Sequence, residues 1–577
     1  MKRMISIFLF CLLCLSTVAQ VKWINPMEVG FPVIQNQGWS GEIGYQYVRL
    51  PDRAKQSVRQ PLWDLSRHSA GLAIHFYSSS SQLKIRYVVE GAFDMPHMPS
   101  TGVSGIDLYS INSDGRWSLC SGFYSFGDTI QYSFSNLGKD RYHHRGFEYR
   151  LYLPLYNSVK WMEIGVLENA ELTFIPQSLE RPIVLYGTSI AQGACASRPA
   201  MAWSSILQRS LDCPLMNLGF SGNGKLEKEM LNYVSETDAC LYILDCLPNL
   251  PAENEQKVTD LVVAAVKQIR ATRTAPILLI EHAGYSNALT NSGQYDSYTR
   301  LNRASRRGYE ALKTEGVKDL YYLSQEELNF PSDAWVDYVH PSDFGMVQQA
   351  TVVEKKVREI LKLPVGNFST TRPVTQRREP DTYEWRARHC EILAHHQQTP
   401  SKSVILGNSI TNYWGGEPLA PRRNGPKSWE RFMRPEGYYN LGYGWDRIEN
   451  VLWRVYHGEL DGYDAQKVVL MIGTNNMGLN SDEEIVEGLR FLLAAIRERQ
   501  PKASIKVIGI LPRRGQEEWV KGINQKIEEM ARQNAYKYAD VSVLLLQSDG
   551  RINESFFLDG LHPNEKGYQL IGKEIAL

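Results

Sequence analysis

Two serines in this sequence directly follow apolar runs and stand in nearly identical settings. Ser189 lies in Tyr186-Gly-Thr-Ser-Ile190, and Ser409 lies in Leu406-Gly-Asn-Ser-Ile410. A serine on a tight turn between a buried strand and a helix projects its hydroxyl at the carboxyl end of a sheet, where α/β folds bind ligands. Serine is also a favoured helix N-cap, so either turn alone indicates a cap more readily than a nucleophile.

Each serine has a candidate proton acceptor further along the chain. Asp337-Tyr-Val-His340 and Asp559-Gly-Leu-His562 both place a carboxylate three residues before a histidine. A hydroxyl nucleophile needs a general base, and that base needs an acceptor for its second ring N–H. Ser189 precedes His340 by 151 residues, and Ser409 precedes His562 by 153. Because order and spacing repeat, the sequence predicts two catalytic sets, each of one serine, one histidine and one aspartate.

Donors for an oxyanion are predicted between the serine and the histidine of each set. Asn217-Leu-Gly-Phe-Ser-Gly-Asn223 and Asn440-Leu-Gly-Tyr-Gly-Trp-Asp446 occupy corresponding places, as do Asp245-Cys-Leu-Pro-Asn249 and Gly473-Thr-Asn-Asn476. Backbone N–H groups and an asparagine side chain beside the serine would hold a tetrahedral oxyanion. The candidate donors are Gly222 and Asn249 in the first set, and Gly444, Trp445 and Asn475 in the second.

The chain divides into segments that differ in their pattern of apolar and polar residues. Residues 21–176 contain short alternating or apolar runs with turn residues between them, which predicts an antiparallel β-sandwich. Strand–helix alternation then begins at Pro182-Ile-Val-Leu-Tyr186 and begins again at Ser403-Val-Ile-Leu406, which predicts two parallel sheets covered by helices on both faces. The predicted units are a sandwich over 20–176 and α/β units over 177–363 and 383–577, and a polar linker over 364–382 joins the last two.

Each set has four blocks in chain order: the serine turn, the glycine-containing segment that begins at Asn217 or Asn440, the asparagine-containing segment that begins at Asp245 or Gly473, and Asp-x-x-His. These four blocks, present twice, resemble the signature motifs of the SGNH (GDSL-type) hydrolases. Gly105-Ile-Asp-Leu-Tyr109 also resembles the GxDLY motif of the β-domain that precedes some bacterial members. The resemblance implies flavodoxin-like α/β/α units, no metal or other cofactor, and hydrolysis of small acyl esters, often acetyl groups on carbohydrates. The tandem arrangement is similar to bacterial two-domain sialate O-acetylesterases.

Each predicted site departs from the family pattern at one block. The second site has Trp445, preceded by Gly444, where the family usually has glycine. A backbone N–H is still available there, but the indole would line or crowd the pocket. At the first site the third block is Asp245-Cys-Leu-Pro-Asn249 rather than Gly-x-Asn-Asp. We therefore expect shared chemistry and different substrate preference at the two sites.

The bulk properties narrow the choice of partner and compartment. Lys and Arg number 63, as do Asp and Glu, so no basic field favours nucleic acid. Lys2 and Arg3 precede an apolar run, and Thr17-Val-Ala19 is a small-x-small site, which together predict a signal peptide over 1–19 and export to the periplasm or beyond. No later segment is long enough to span a membrane. Oligomeric state is left open.

Metal and disulfide chemistry have little support in the sequence. Six cysteines follow the predicted signal peptide, with no CxxC or HExxH pattern. Export permits disulfides, and Cys195 and Cys246 both lie near the first set, but buried free thiols fit equally well. We expect neither a metal nor a cofactor.

The sequence thus predicts an exported serine esterase that acts on acetylated oligo- or polysaccharides. Three alternatives stay open. The first is whether the acetyl groups belong to sialylated glycans or to plant polysaccharides; the second is a lysophospholipid-like lipid as substrate; the third is that one unit only binds carbohydrate.

Overall fold

The computed structural model describes residues 20–44, 46–140, 142–378 and 383–576. The predicted signal peptide and residues 379–382 of the predicted linker lie outside these ranges. Within them, no helix is both long and apolar enough to cross a bilayer.

The N-terminal unit is a β-sandwich, as predicted. Its strands are β1 (Val21–Ile24), β2 (Ile34–Gln35), β3 (Ala73–Ser78), β4 (Gln82–Val89), β5 (Asp107–Ile111), β6 (Trp117–Cys120), β7 (Phe123–Ser125), β8 (Ile130–Ser135), β9 (Phe147–Tyr152), β10 (Val159–Leu167) and β11 (Leu172–Phe174). One antiparallel sheet has the order β1-β10-β4-β8-β7 and the other β11-β3-β9-β5-β6, with β2 added beside β3. Only short helices interrupt the strands, namely α1 (Ser40–Ile43), α2 (Gln60–Ser66) and α3 (Ser100–Val103).

Alternation explains why these residues form a sandwich. Along β8, Ile130, Tyr132 and Phe134 are buried while the residues between them are more exposed. Period-two burial puts one face of each sheet on the shared core. Ile85 on β4 and Leu151 on β9 contribute to that core from opposite sheets.

The first α/β unit has a five-stranded parallel sheet. Its strands are β12 (Ile183–Gly187), β13 (Leu215–Gly219), β14 (Leu241–Asp245), β15 (Ile277–Ile280) and β16 (Leu320–Leu323). The helices are α4 (Ser189–Gln192), α5 (Trp203–Leu211), α6 (Lys228–Glu236), α7 (Glu255–Arg270), α8 (Ser292–Thr314), α9 (Gln325–Leu328) and α10 (Asp343–Ile360). The strand order is β13-β12-β14-β15-β16.

The second α/β unit repeats this architecture. Its helices are α11 (Trp385–Gln398), α12 (Ser409–Asn412), α13 (Pro426–Ser428), α14 (Ile448–Tyr456), α15 (Asp482–Arg499), α16 (Glu517–Gln533) and α17 (Glu565–Ala576). Its strands are β17 (Ser403–Gly407), β18 (Tyr438–Gly442), β19 (Lys467–Met471), β20 (Ser504–Ile508) and β21 (Lys537–Ala539), in the order β18-β17-β19-β20-β21.

The strand order settles the type of α/β fold. In both units the second strand pairs with the first, and the third lies on the other side of the first. This 2-1-3-4-5 order is that of flavodoxin-like folds, and its switch point lies beside the first strand. β12 and β17 are fully buried, because apolar helices cover both faces of each sheet. The predicted flavodoxin-like fold is confirmed.

Two arginines in the described part of the predicted linker pack against other units. Arg377 and Arg378 are buried, and Arg377 Nε donates to Glu148 Oε2 of the sandwich at 2.8 Å. Arg378 Nη2 donates to Asn450 of the second unit at 2.7 Å. The polar composition that indicated a solvated linker thus supplies ion pairs and hydrogen bonds between units.

Candidate active sites

Both serines begin a short helix directly after the first, fully buried strand of their sheet. Thr188 caps the helix that begins at Ser189, and its hydroxyl accepts from the Ile190 backbone N–H at 3.3 Å. Asn408 does the same before Ser409, accepting from Ile410 at 3.0 Å. The serines themselves are the first helical residues, not the caps. Their own N–H groups therefore have no acceptor within the helix and point out of its N-terminus.

The first predicted set is assembled by hydrogen bonds. Ser189 Oγ lies 3.0 Å from His340 Nε2, and His340 Nδ1 lies 2.7 Å from Asp337 Oδ2. The other carboxylate oxygen of Asp337 accepts from the backbone N–H groups of Val339 at 2.8 Å and His340 at 2.7 Å. One tight loop therefore fixes both the acid and the ring that it orients.

The second predicted set has the same arrangement. Ser409 Oγ lies 2.9 Å from His562 Nε2, and His562 Nδ1 lies 2.7 Å from Asp559 Oδ2. Asp559 Oδ1 accepts from the backbone N–H groups of Leu561 at 3.0 Å and His562 at 2.8 Å. The two serines are each 7% exposed. Each set therefore offers a hydroxyl, a base with a free lone pair, and a carboxylate that favours the useful tautomer.

The carboxylates of both loops are held in the ionised form. Partial burial by itself raises the pKa of Asp337, but hydrogen bonds from the side chain and backbone of His340 bring it below the usual aspartate value. At Asp559, burial likewise acts upward, and the hydrogen bonds from the His562 backbone and side chain outweigh it, so the pKa is lowered. A negative charge next to each ring stabilises the imidazolium that forms when the ring takes a proton.

The second-block loops pack against the serine turns. Phe220 N donates to Gly187 O at 3.0 Å, and Tyr443 N donates to Gly407 O at the same distance. The paired strand ends place Gly222 and Trp445 at corresponding positions, three residues after Gly219 and Gly442.

Gly222 and Trp445 also share a backbone conformation. Gly222 has a φ of +68° and Trp445 a φ of +61°. Neither backbone N–H has an acceptor among the described residues. Of the two candidate donors in the second unit, Trp445 is thus the counterpart of Gly222, and Gly444 corresponds to Ser221.

The third-block asparagines lie beside these loops. Asn249 Oδ1 accepts from Gly224 N at 3.0 Å, which turns its amide N–H groups away from that loop. Asn475 Nδ2 donates to Asp446 O at 3.0 Å, which uses one of its two N–H groups. Each site therefore retains an amide N–H that can point at a developing oxyanion.

Two arginines donate hydrogen bonds to the carboxyl ends of β13 and β18, and the sequence motifs did not predict these contacts. Arg49 of the sandwich donates to Gly219 O at 2.6 Å, and Arg388 donates to Gly442 O at 2.9 Å. Each guanidinium comes from a segment outside the sheet that it braces. A motif search has no signal for them, because isolated arginines are common and their contacts depend on how the units dock.

The first site has two further neighbours that the sequence did not predict. His97, from the sandwich loop after β4, lies with its ring centroid 5.7 Å from that of His340. Cys195, six residues after Ser189, is buried and has a left-handed backbone with a φ of +69°. Burial and the nearby Asp337 raise the pKa of the Cys195 thiol to about 12. The six described cysteines are all free, so the open question of pairing is answered in favour of thiols.

The fold and both sites together define a serine ester hydrolase. The GDSL-like lipase/acylhydrolase family matches the chain twice, over residues 180–358 and 405–570. Residues 21–172 match the GxDLY family, described as the N-terminus of esterases of the SGNH hydrolase type. The chain belongs to the SGNH (GDSL-type) hydrolases, with a GxDLY domain followed by two hydrolase domains.

One solved structure supports this assignment, and curated acetylhydrolases are similar to part of the chain. A GDSL-like lipase from Bacteroides ovatus ATCC 8483 is similar over 59% of this chain and 98% of its own, with 30% identity and a TM-score of 0.55. Platelet-activating factor acetylhydrolase IB subunit alpha2 from Homo sapiens is 33% identical over 152 residues, which are 26% of this chain and 66% of that protein. The human alpha1 subunit is 27% identical over 189 residues, 32% of this chain and 78% of its own.

Proposed function

We propose that the protein is an exported carbohydrate O-acetylesterase that removes acetyl groups from glycans at two separate serine sites. One observation carries this proposal: the hydrogen-bonded chain from serine to histidine to aspartate occurs twice, at the same place in two repeats of one fold. An accidental serine cap would not need a buried hydroxyl aimed at a histidine whose other nitrogen is held by a carboxylate.

The first half of the reaction is acylation. Ser189 Oγ attacks the ester carbonyl as His340 Nε2 takes its proton, and Asp337 stabilises the resulting imidazolium. The carbonyl oxygen becomes an oxyanion, which accepts hydrogen bonds from the N–H groups of Ser189, Gly222 and Asn249 in this proposal. His340 then gives its proton to the leaving sugar oxygen, and the C–O bond of the ester breaks.

The second half is hydrolysis of the acyl-serine. Water attacks the acyl carbon, His340 takes a proton from that water, and the same proton returns to Ser189 Oγ as acetate leaves. At the second site, Ser409, His562 and Asp559 take these roles, with the Trp445 backbone N–H and Asn475 as oxyanion donors. Removal of one such donor typically costs about 3–4 kcal/mol of transition-state stabilisation.

Exposed aromatic rings near both sites support a sugar as the alcohol part. Trp445 is 46% exposed beside the second site. Tyr338 lies within the Asp-x-x-His loop of the first site, is 51% exposed, and is 5.7 Å from the Tyr285 ring, centroid to centroid. Aromatic faces with a polar edge suit surfaces that are partly apolar and partly wet, as the faces of sugar rings are.

A lipid ester is the second candidate, and the curated relatives favour it. The named substrate of those relatives is platelet-activating factor, and their name specifies removal of an acetyl group. Their name therefore supports an acetyl group as the acyl part of the substrate under both hypotheses. The two hypotheses differ in the alcohol part of the ester, which is a lipid in one and a sugar in the other.

Acetate release from chemically different acetyl esters tests the proposal. Wild type, Ser189→Ala, Ser409→Ala and the double variant are assayed on O-acetylated sialoglycans, acetylated plant polysaccharide and an acetylated phospholipid. Ser332→Ala, at an exposed position outside both sets, is the control. We expect glycan deacetylation to require at least one of the two serines. Preference for the phospholipid over every glycan would overturn the carbohydrate assignment, and full activity in the double variant would overturn both sites.

A further inference from the structure

Three side chains with metal-binding atoms meet at the first site. A ring nitrogen of His97, the Cys195 sulfur and a ring nitrogen of His340 all lie within 4.8 Å of one another. They come from three separate segments: a loop of the sandwich, the turn after the Ser189 helix, and the Asp-x-x-His loop. Neither His97 nor Cys195 has a part in the acyl-transfer steps.

The nitrogen of His340 that contacts Ser189 is the one that a metal would need. Its Nδ1 is held by Asp337 at 2.7 Å, so a metal would take the lone pair of Nε2 in place of its hydrogen bond with Ser189 Oγ at 3.0 Å. Metal-bound histidines in proteins commonly have their second ring nitrogen held by a carboxylate, which fixes the tautomer and raises the basicity of the ligating nitrogen. Asp337 therefore already gives His340 the carboxylate contact that metal-binding histidines commonly have.

The ligand set and its spacing suit a soft divalent cation. Sulfur and imidazole select zinc and its relatives over magnesium or calcium. Tetrahedral zinc, with bonds of about 2.0–2.3 Å, places neighbouring donor atoms roughly 3.3–3.7 Å apart. The donor atoms lie within 4.8 Å of one another, and His97 is exposed on its loop, so its ring can move closer to the buried Cys195 and to His340, which Asp337 orients.

We propose that His97, Cys195 and His340 form an inhibitory site for Zn²⁺ or a similar thiophilic cation. Binding forms a bond from the metal to each of the three side chains and releases the Cys195 thiol proton to solvent. The lone pair of His340 Nε2 is then occupied, so Ser189 has no proton acceptor and the first site is switched off. The inhibition rests on the proposed role of His340, whereas the binding itself does not.

The second site supplies a built-in comparison. Gly415 stands six residues after Ser409, where Cys195 stands six after Ser189. The ring near His562 is that of Tyr413, at 5.4 Å. Among the described residues, no other group of three His, Cys, Asp or Glu side chains has this metal-binding spacing. Zinc should therefore inhibit the first site and not the second, although both sites use a serine, a histidine and an aspartate.

Inhibition is measured on variants that retain one site each. Ser409→Ala reports the first site and Ser189→Ala the second, with free Zn²⁺ set by a metal buffer. We expect first-site activity to fall at least 10-fold and to return with chelator, while second-site activity changes less than 2-fold. In the Ser409→Ala background, Cys195→Ser and His97→Ala should keep their activity without metal and need at least 10-fold more zinc for inhibition. Equal inhibition of both sites, or unchanged sensitivity in Cys195→Ser, would overturn the proposal.

Direct binding is measured with Co²⁺ on the inactive Ser189→Ala/Ser409→Ala chain. We expect one cobalt per chain and a near-ultraviolet thiolate-to-cobalt absorption band that Cys195→Ser removes. If this band is present but zinc does not inhibit, the metal site stands and the assigned role of His340 fails. If the band is absent, or persists in Cys195→Ser, the metal site itself is refuted whatever the enzyme assays show.

Discussion

Gly222 and Trp445 occupy corresponding positions in the two hydrolase domains and share a left-handed backbone, with φ of +68° and +61°. Glycine adopts this conformation without strain, whereas any residue with a Cβ loses about 1–2 kcal/mol. The indole is 46% exposed, so burial does not account for it. The turn that carries the proposed oxyanion N–H therefore has the same backbone conformation at both sites, and the second site adds a large ring to it.

Exchanging these two residues should exchange substrate preference. Trp445→Gly in a Ser189→Ala background keeps the backbone N–H, so we expect activity on a minimal acetyl ester to stay within about 3-fold. The KM for an acetylated glycan should rise several-fold, because the sugar loses its aromatic contact. Gly222→Trp in a Ser409→Ala background is the reverse change, and open space surrounds Gly222. Steady-state kinetics on both esters measures the split, and a uniform kcat loss on both would contradict it.

Removing the charge behind each histidine should be nearly as damaging as removing the serine. Asp337→Asn and Asp559→Asn leave a side chain of the same size but favour the wrong ring tautomer, and in the chymotrypsin-type triad such a change costs about 10⁴-fold in kcat. We expect roughly 10³–10⁴-fold here, measured with the other site silenced. Asp333→Asn, an exposed residue before the first loop, serves as control and should change kcat less than 2-fold. A loss under 10-fold in Asp337→Asn would contradict the assigned role.

A buried carboxyl in the first domain should make stability depend on pH. Burial raises the pKa of Asp245 to about 7, and the hydrogen bond from Gln349 opposes this only in part. Since an unfolded aspartate titrates near 3.9, the folded state favours the protonated form. The contribution of Asp245 to the free energy of unfolding is thus complete below about pH 4 and is lost as the pH rises through 7.

Asp245→Asn should remove that dependence. The amide is neutral at every pH, so we expect the variant to melt higher than wild type at pH 8.5 and to match it at about pH 3.5. Three pKa units correspond to at most about 4 kcal/mol. Calorimetry at the two pH values measures the difference, with the exposed Asp549→Asn as the neutral comparison. A variant less stable than wild type at pH 8.5 would show that the carboxylate itself is needed.

The sandwich and the second hydrolase domain should unfold together because they share a buried charge cluster. Glu148 of the sandwich is fully buried, and three arginines surround it, at 2.9 Å (Arg150), 2.8 Å (Arg377) and 3.8 Å (Arg386). Burial acts to raise the pKa of Glu148, but these cations bring it well below the usual value. The carboxylate is therefore the counterion for residues from both sides of the connecting stretch.

Glu148→Gln should uncouple the second hydrolase domain. It leaves the buried Arg377 guanidinium without its carboxylate partner, a change that typically costs about 3–5 kcal/mol, whereas Arg150 and Arg386 keep Asp212. We expect an earlier, separate thermal transition in differential scanning calorimetry. Glu90→Gln breaks only the exposed pair with Lys160 and should cost less than about 1 kcal/mol. If the two variants melt alike, the cluster does not couple the domains.

Sequence patterns predicted the parts that local chemistry determines. Alternating and continuous apolar runs predicted the sandwich and both parallel sheets, because the apolar pattern of each strand reflects which of its faces is buried. The serine, histidine and aspartate positions repeat at fixed spacing, and the structure brings each predicted set within hydrogen-bonding distance. Sequence reasoning did not name β16 or β21 as strands; both are short edge strands whose burial is incomplete, so their pattern is weak.

What depends on docking between units was not predictable. His97 is some 240 residues from His340 in sequence, and only the packing of the sandwich onto the first hydrolase domain brings them together. The predicted linker over 364–382 gives no sign in its own sequence that Arg377 and Arg378 are buried against other units. Such contacts have no periodicity or motif, because neither partner's own segment requires them.

The central claim, two independent serine sites on one chain, is tested most directly by counting reactive serines. A fluorophosphonate reacts with an activated serine and leaves a stable adduct whose mass identifies it. Intact-mass spectrometry should find two adducts on wild type, one each on Ser189→Ala and Ser409→Ala, and none on the double variant, with the labelled peptides containing Ser189 and Ser409. A single adduct on wild type, or an adduct that survives in the double variant, would contradict the account.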